Sequence, residues 1–401
     1  MSTTCDVMVI GAGVAGAAAA VAAARGGART ILVEKETYLG GTGYAGMFPS
    51  MCGLYLNSSE PPTETLNPGI SREIVARLRE IAASAGIVKM GQVYVQPFGR
   101  EDLQSILTAL CYAEKDIAML RGNTLAEVAV EDGMIISATV NGARGNQTIE
   151  PKMLIDCSGS GEAAALAGAA FDLSPIAERQ LAGFVVKVSG LTGVDGLELK
   201  VPFHLAKAAA QGLVMPSAKF TTFSPGTSPG EGFCKISIDT DEAGPDENKV
   251  RLDAEAVIKH LATVEPAFKE ARIVETSPKV LEREGRRVIG QYTLSEEDVL
   301  SARKFPDGVV RNAWPIELWN REKGTRYRYL PQGEYYEIPF RCQMVQGFPN
   351  LLTAGRCISV SHEALGSTRV MGTCIALGEQ AGKAAAFRIQ NGHYPENIKE
   401  Y

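Results

Sequence analysis

The sequence predicts an α/β fold in which both ends of the chain contribute to one parallel sheet. A short apolar run at 6–10, an alanine-rich helical stretch at 13–25 and a second apolar run at 30–34 predict a strand, helix and strand unit. Near the other end, an apolar run at 350–354 precedes a glycine-punctuated helical stretch that continues to about Ile389. This return to the opening pattern predicts a discontinuous first domain.

The middle of the chain has a different composition. Short β-rich runs from 117 to 155, separated by the turns EDG and NGARGN, predict a β-meander beside the parallel sheet. Residues 171–340 contain the loops SPGTSPGEG and DTDEAGPDENK and most of the aromatic residues. We therefore expect residues 1–170 and 341–401 to form the first domain, and residues 171–340 to form an α+β substrate or cap domain.

Composition and charge narrow the choice of partner. The net charge of −6 gives no broad basic face, which argues against nucleic acid and against acidic membrane surfaces. The eight cysteines include no CxxC pair and the four histidines no ligand spacing, so neither a disulfide framework nor a metal site is predicted. With no recognisable targeting or transmembrane segment, we expect a cytoplasmic protein with a small-molecule partner.

A GxGxxG motif follows the first predicted strand and opens the helix. Its glycines allow a tight turn, a close approach of the backbone to a pyrophosphate, and close packing of the helix on the sheet. A glutamate ends the second strand about twenty residues later, where its carboxylate can accept hydrogen bonds from a ribose diol. The motif predicts dinucleotide binding, with contacts at Gly11, Gly13, Ala15, Gly16, Glu34 and Lys35.

A second GxG, formed by Gly159 and Gly161 in LIDCSGSGEAAALAG, also follows a strand and opens a helix. One interpretation is a separate NAD site. No strand ending in a carboxylate follows it, so we favour a second turn that lies against the same cofactor.

The C-terminal stretch NLLTAGRCISVSHEALGSTRVMGTCIALGEQAGKAAA predicts a strand, the turn Gly355-Arg356, a short loop, and a helix that begins between Gly366 and Met371. Amides at the start of such a helix can stabilise negative charge on a redox cofactor as it is reduced, which would raise the reduction potential of that cofactor.

The chain resembles FAD-dependent oxidoreductases of the glutathione-reductase-like superfamily over almost its full length. The segments that carry the resemblance are VIGAGVAGAAAA, VEKETYLGG, LIDCSGSGEAAALAGA, REGRRVIGQYTLSEEDV, YYEIPFRC and the C-terminal stretch quoted above. The resemblance implies a Rossmann-like domain and one non-covalent FAD. It also implies that Gly40 and Gly41, with the adjacent Thr42, bring backbone close to the flavin side of the cofactor.

More distantly, the last segment is similar to the HGANRLGG segment of fumarate reductase and succinate dehydrogenase flavoproteins, whose arginine binds a substrate carboxylate beside the flavin. That similarity maps onto His362, Gly366 and Arg369. It implies that Arg369 orients a substrate carboxylate or carbonyl, with a structural ion pair as the alternative. His362 is a candidate general acid or base, or a hydrogen-bonded loop histidine.

Three further positions have two interpretations each. Tyr336 either lines the pocket as a catalytic group or packs in the core. Cys52 is either a redox thiol or a small buried side chain. In the basic block EREGRR, either Arg286 or Arg287 reaches the pocket, or the block forms a salt-bridged turn.

The expected reaction is hydride transfer between flavin N5 and a small organic substrate, with Arg369, His362 and Tyr336 as catalytic candidates. The alternatives are an electron-transfer subunit that works with a redox partner protein and an NAD(P)H-dependent reductase. Homo-oligomer formation stays open at this point.

Overall fold

A computed structural model describes residues 3–81, 86–226, 228–395 and 398 of the chain. The strands, in chain order, are β1 Thr3–Ile10, β2 Thr30–Glu34, β3 Ser50–Met51, β4 Val88–Met90, β5 Val93–Pro97, β6 Ile117–Arg121, β7 Thr124–Glu131, β8 Met134–Gly142, β9 Gly145–Asp156, β10 Phe171–Asp172, β11 Ala182–Ser189, β12 Thr222–Pro225, β13 Glu231–Ile238, β14 Arg272–Thr276, β15 Arg287–Val288, β16 Gly308–Asn312, β17 Ile316–Asn320, β18 Gly324–Arg328, β19 Tyr336–Pro339 and β20 Leu351–Thr353. The α-helices are α1 Val14–Arg25, α2 Thr42–Ala45, α3 Ile70–Ile81, α4 Arg100–Ala113, α5 Glu162–Leu166, α6 Leu197–Ala210, α7 Glu247–Val264, α8 Glu296–Leu300, α9 His362–Thr368 and α10 Met371–Asn391.

The largest sheet joins the two ends of the chain. Its strand order is β6-β2-β1-β9-β8-β7, and β20 also pairs with β9. Strands β6, β2, β1, β9 and β20 are parallel, whereas β8 pairs antiparallel with both β7 and β9. The predicted α/β class, with a discontinuous parallel sheet and a β-meander, is confirmed.

A second, antiparallel sheet has the order β12-β13-β11-β14 and is accompanied by α6 and α7. Its hydrophobic core uses residues from 182 to 280. Buried residues between 294 and 340, including Tyr336 and Phe340, pack instead in the cluster that contains α1 and α10. The residue ranges of the two domains stay a prediction.

Helices α1 and α10 pack against each other through small residues. A Cβ added to Gly378 would lie 2.0 Å from the carbonyl oxygen of Ala15, and one on Gly382 would lie 2.2 Å from that of Ala19. These two contacts advance in the same direction along both helices, so the helices run parallel. At 1.5 Å per residue, α10 begins roughly 9 Å before α1. The N-termini of both helices therefore face the same edge of the sheet.

We expect the substitution Gly378→Ala to lower the free energy of unfolding by about 3 kcal/mol, because its methyl group would meet main chain that cannot rotate away. Urea unfolding checks this. The matched control is Gly193→Ala, since a Cβ at Gly193 would meet nothing within 4 Å. Equal stability of the two variants would contradict the observed packing of α1 on α10.

Candidate functional site

The turns that follow β1, β9 and β20 lie together at one edge of the main sheet. The Cys157 amide donates to the carbonyl oxygen of Ile10 at 2.8 Å, and the Ala354 amide donates to that of Asp156 at 3.0 Å. Ligands of open α/β sheets bind outside the carboxyl ends of the strands. Three glycine-containing turns thus meet where a dinucleotide is expected.

The geometry of the opening turn requires two of its three glycines, Gly11 and Gly16. Gly11 has a φ of +91°, and a Cβ on Gly16 would lie 1.7 Å from the Gly11 carbonyl oxygen. A Cβ on Gly13 would instead meet only the Cα of Gly41, at 3.9 Å. No described side chain caps the start of α1, so its first amides are available to an anion. The turn has the shape that a pyrophosphate needs.

Glu34 is held at the end of β2. Its Oε2 accepts a hydrogen bond from the Ala12 amide at 2.6 Å, and its Oε1 accepts one from the Glu36 amide at 2.9 Å. Each carboxylate oxygen has further lone-pair capacity for a ribose hydroxyl. The neighbouring Lys35 points to a different partner, Glu162, at 3.5 Å. Glu34 therefore fits the predicted ribose contact better than Lys35 does.

The paired glycines reach the opening turn. The Gly40 amide donates to the Ala12 carbonyl oxygen at 2.9 Å, and Gly40 and Gly41 have φ values of +100° and +50°. Thr42 then begins the short helix α2. This part of the chain therefore lies beside the opening turn; its contact with the flavin side of the cofactor stays a prediction.

The second glycine turn is shaped by a buried aspartate. Asp156 accepts hydrogen bonds from the Ser158 amide at 3.0 Å and from the Ala164 amide at 3.0 Å, and burial raises its pKa. Arg356 Nε donates to the Gly159 carbonyl oxygen at 2.8 Å. Because Arg356 belongs to the turn after β20, this bond joins the second turn to the third. The contact favours one shared cofactor over a separate NAD site.

The N-terminus of α10 lies next to the segment that follows β3. The Gly372 amide donates to the Cys52 carbonyl oxygen at 2.8 Å, and a Cβ on Gly43 would lie 3.1 Å from the sulfur of Met371. Burial raises the pKa of the Cys52 thiol to about 12, which keeps it protonated. This favours the interpretation of Cys52 as a small buried side chain over that of a reactive thiol.

Arg369 ends helix α9, two residues before α10 begins. Its Nη2 donates to the carbonyl oxygen of Glu317 at 3.0 Å and to Oε1 of Gln180 at 3.3 Å. Its Nε is buried and has no hydrogen-bond partner among the described residues. Arg369 thus retains donor capacity beside the start of α10.

Lys235 and Arg283, which the sequence motifs do not single out, lie near Arg369. The Lys235 Nζ is 4.2 Å and the Arg283 guanidinium carbon 4.0 Å from the ring centroid of Trp319. Burial and the neighbouring Arg283 lower the pKa of Lys235 to about 7, and burial and Arg369 lower that of Arg283 to about 9. We call Lys235, Arg283 and Arg369 the cationic cluster. The signal in the sequence is a lysine inside the apolar run FCKISI.

Glu317 is the carboxylate that faces the cationic cluster. Its Oε1 accepts hydrogen bonds from Trp319 Nε1 at 2.8 Å and from the Tyr327 hydroxyl at 3.3 Å. Burial alone would raise its pKa, but Arg369 and Lys235 hold it below the ordinary value. Glu317 is therefore ionised near neutral pH.

His362 begins α9 and is held by a buried glutamate. Its Nδ1 is 2.9 Å from Oε2 of Glu284 and 3.0 Å from Oγ of Ser174. The hydrogen bond to Glu284 raises the pKa of His362. His362 and Arg369 stand at opposite ends of the seven-residue helix, roughly 10 Å apart along its axis. Gln180 links the two ends, since its amide donates to Glu284 Oε1 at 3.1 Å and its Oε1 accepts from Arg369.

The His362–Glu284 pair predicts a pH-dependent stability. Burial alone would raise the pKa of Glu284, but His362, the Gln180 amide and Arg287 together lower it, so the stabilising contribution of Glu284 is lost as the pH falls through that lowered pKa. The raised pKa of His362 acts oppositely, and its contribution is lost as the pH rises through it. The pair should therefore stabilise the fold most between the ordinary pKa values of 4.5 and 6.5.

Glu284→Gln is accordingly expected to cost about 2 kcal/mol of unfolding free energy in that window, and less above it. Urea unfolding across the pH range measures this. Glu282→Gln, on the exposed neighbouring glutamate of the same turn, is the control. A loss that did not depend on pH would contradict the assigned ion pair.

Tyr336 and Gly366 are used in packing. Tyr336 is fully buried, and its hydroxyl lies 2.7 Å from both Asn312 Nδ2 and Ser367 Oγ. Burial also raises its pKa. A Cβ on Gly366 would lie 2.9 Å from the carbonyl oxygen of Glu317. The packing interpretation of Tyr336 is therefore favoured, and Gly366 allows α9 to approach β17.

The basic block places a different arginine at the cationic cluster from the two predicted. Arg286 donates to the Ser160 carbonyl oxygen at 3.3 Å, and Arg287 to the Ser174 hydroxyl at 3.1 Å. Arg283 alone of these three contacts Trp319. The basic block thus supplies a cation to the site through Arg283.

A sequence model of the FAD dependent oxidoreductase family matches residues 6–400, and the chain belongs to this family. The protein is therefore an FAD-dependent oxidoreductase. The glycine turns, Glu34 and the uncapped start of α1 fit the dinucleotide part of FAD. Helix α10 begins before α1 along their shared direction, and this offset fits the length of an FAD molecule. A search of curated protein sequences found no match.

Solved structures show the same fold. The chain is similar to a geranylgeranyl bacteriochlorophyll reductase-like protein from Thermoplasma acidophilum, with 14% identity and a TM-score of 0.53, over 100% of this chain and 82% of that one. It is also similar to the anhydrotetracycline hydroxylase OxyS from Streptomyces rimosus, with 14% identity and a TM-score of 0.53, over 99% of this chain and 65% of that one. The chain thus spans less than two thirds of the hydroxylase.

The described residues contain no helix with the length and apolar character needed to cross a bilayer. They also contain no group of three His, Cys, Asp or Glu side chains arranged to hold a metal ion.

Proposed function

We propose that this protein transfers hydride between flavin N5 of its FAD and a small organic substrate bound beside Arg369. The observation that carries the proposal is the unpaired, buried Nε of Arg369, two residues from the start of α10. A buried donor without a partner costs about 1–3 kcal/mol, and a substrate oxygen would remove that cost. Bound FAD supplies the two-electron chemistry at this position.

The proposed cofactor contacts follow from the turns described above. The opening turn and start of α1 hold the pyrophosphate, Glu34 holds the ribose, and the start of α10 stabilises negative charge near the flavin. The proposed set is Gly11, Gly13, Ala15, Gly16, Glu34, Gly40, Gly41, Thr42, Gly159, Gly355, Arg356 and Met371. Lys35 and Gly366 contribute less directly, through Glu162 and β17.

The chain's own residues position substrate and proton. Arg369 orients an electron-rich substrate group through its guanidinium. Glu284 holds the Nδ1 side of His362, so Nε2 is the atom left to exchange a proton. The Trp314 and Trp319 rings are buried and keep water from this part of the site. His362 and Arg369 lie at opposite ends of α9. We therefore propose that His362 exchanges a proton with a different substrate atom from the group that Arg369 binds.

An anaerobic screen of small metabolites against the FAD-loaded protein tests the proposal. A substrate is expected to bleach the flavin absorbance, or to restore it in the reduced protein, without any second protein. Rapid bleaching by NADPH would instead support an NAD(P)H-dependent reductase. Electron exchange only with a stoichiometric redox protein would support an electron-transfer subunit, and either result would overturn the proposal.

A further inference from the structure

The cationic cluster holds more positive charge than its surroundings balance. Lys235, Arg283 and Arg369 face one carboxylate, Glu317, which already accepts bonds from Trp319 and Tyr327. In the part of the chain that the structure describes, Arg283 and Arg369 donate to the oxygens of Leu181, Gln180 and the Glu317 main chain rather than to a carboxylate, and Lys235 lies over the Trp319 ring. Buried charges in proteins are otherwise paired, so the excess calls for an anion.

Three buried donors around the cluster have no hydrogen-bond partner among the described residues. They are Gln180 Nε2, Arg369 Nε and Trp314 Nε1. Gln180 is 4% and Trp314 7% exposed. Gln180 Oε1 accepts from Arg369, and Trp314 packs with Val370, so these donors belong to one region. They match a ligand that offers several acceptor atoms.

Part of each of the three cationic side chains is accessible to a ligand. Lys235 and Arg369 are half-buried, and Arg283 is 9% exposed. They come from β13, the loop before β15 and the end of α9, which meet beside the start of α10. This convergence of three separate chain segments makes a built site rather than a chance surface patch.

On the basis of the proposed function, we propose that the substrate taken by this site is an organic anion whose carboxylate is bound by Lys235, Arg283 and Arg369. A carboxylate presents two acceptor oxygens that match the parallel N–H groups of a guanidinium. It also supplies the negative charge that the cluster lacks. The site thereby selects against neutral analogues of the same shape, because these leave the buried cations unbalanced.

The proposal has a consequence for stability that a structural role would not have. The titratable groups that face Lys235 are Arg283, Arg369, Glu317 and the Cys52 thiol. Replacing Lys235 with a neutral side chain of similar length removes a half-buried group whose protonated form Arg283 and Arg369 repel. The variant Lys235→Met is therefore expected to unfold at the same or a higher temperature than the wild type while it loses anion affinity.

The two tryptophans of the chain, Trp314 and Trp319, both lie at this site, so their fluorescence reports ligand binding directly. The probes are acetate and benzoate, each compared with its neutral amide, titrated into the FAD-loaded protein. We expect each acid to bind at least ten times more tightly than its amide. We expect Lys235→Met to weaken binding of the acids by at least tenfold.

Lys187→Met is the matched control, because Lys187 lies on the neighbouring strand β11 and is paired with Glu231 at 3.0 Å. It should leave the affinity for the acids unchanged. Equal binding of acid and amide would overturn the proposal, as would loss of FAD from Lys235→Met, which would assign the cluster to the cofactor. Fluorescence detects binding without electron transfer, so a failure of the proposed hydride transfer would appear separately, as binding without bleaching.

Discussion

Replacing Gly13 with alanine is expected to weaken FAD binding by roughly 100-fold without destabilising the apoprotein. In the folded chain a Cβ at this position would meet only the Cα of Gly41, at 3.9 Å, and Gly13 has an ordinary φ of −63°. The added methyl group would therefore cost nothing until a pyrophosphate approached the start of α1. Titration of apoprotein with FAD and urea unfolding of the same sample measure the two effects.

Gly16→Ala is the informative comparison. Its Cβ would lie 1.7 Å from the Gly11 carbonyl oxygen, so this variant should lose both FAD affinity and stability. Comparison of the two variants would then show which glycine is required only for FAD binding and which is also required for folding. If Gly13→Ala bound FAD as tightly as the wild type, the opening turn would not be the pyrophosphate site.

Replacing Arg369 with alanine is expected to leave FAD bound and to lower kcat/KM by roughly 1,000-fold, about 4 kcal/mol of transition-state stabilisation. The guanidinium lies beside the start of α10 with an Nε that no described residue uses, and its Nη2 donates to the Glu317 carbonyl oxygen and to Gln180 Oε1. Arg369→Lys should recover only a small part of the loss, because an ammonium group cannot make two parallel hydrogen bonds. Steady-state kinetics with a substrate from the anaerobic screen measures this.

Arg341→Ala is the control for Arg369, since Arg341 pairs with Asp307 at 2.9 Å in a neighbouring part of the chain. It should keep wild-type kinetics and bound FAD. Release of the flavin from Arg369→Ala would move this arginine from substrate binding to cofactor binding. Unchanged kinetics would support the alternative that Arg369 has only a structural role.

The sequence predicts the opening unit well because its determinants are local. Gly11 and Gly16 are needed by one turn between adjacent elements, and Glu34 ends the next strand of the same unit. The C-terminal return could also be predicted, since β20 and α10 repeat the order of strand and helix. Parallel packing of α1 on α10 then follows from their shared small residues.

The cationic cluster could not be predicted in the same way, because it is assembled from distant segments. Lys235 and Arg283 lie on different elements of the chain's middle part, and only tertiary packing brings both onto Trp319. No spacing of residues in the sequence predicts these contacts. A lysine in an apolar strand indicates an unusual position, but it does not show which residues it contacts.

The role of Tyr336 could not be predicted from the sequence for a different reason. A strand alternates its side chains between two faces, but the pattern does not say which face meets the core and which meets a site. All four residues of β19 are buried, so alternation carries no information there. The hydrogen bonds to Asn312 and Ser367 come from elements that are remote in sequence.

A crystal structure of the FAD-loaded protein with benzoate tests the central claim most directly. The account predicts one FAD per chain, with its ribose on Glu34 and its flavin ring at the start of α10, and a carboxylate on Arg369, Arg283 and Lys235. A flavin ring remote from the start of α10, or a benzoate bound elsewhere with the three cations paired to protein groups, would contradict it.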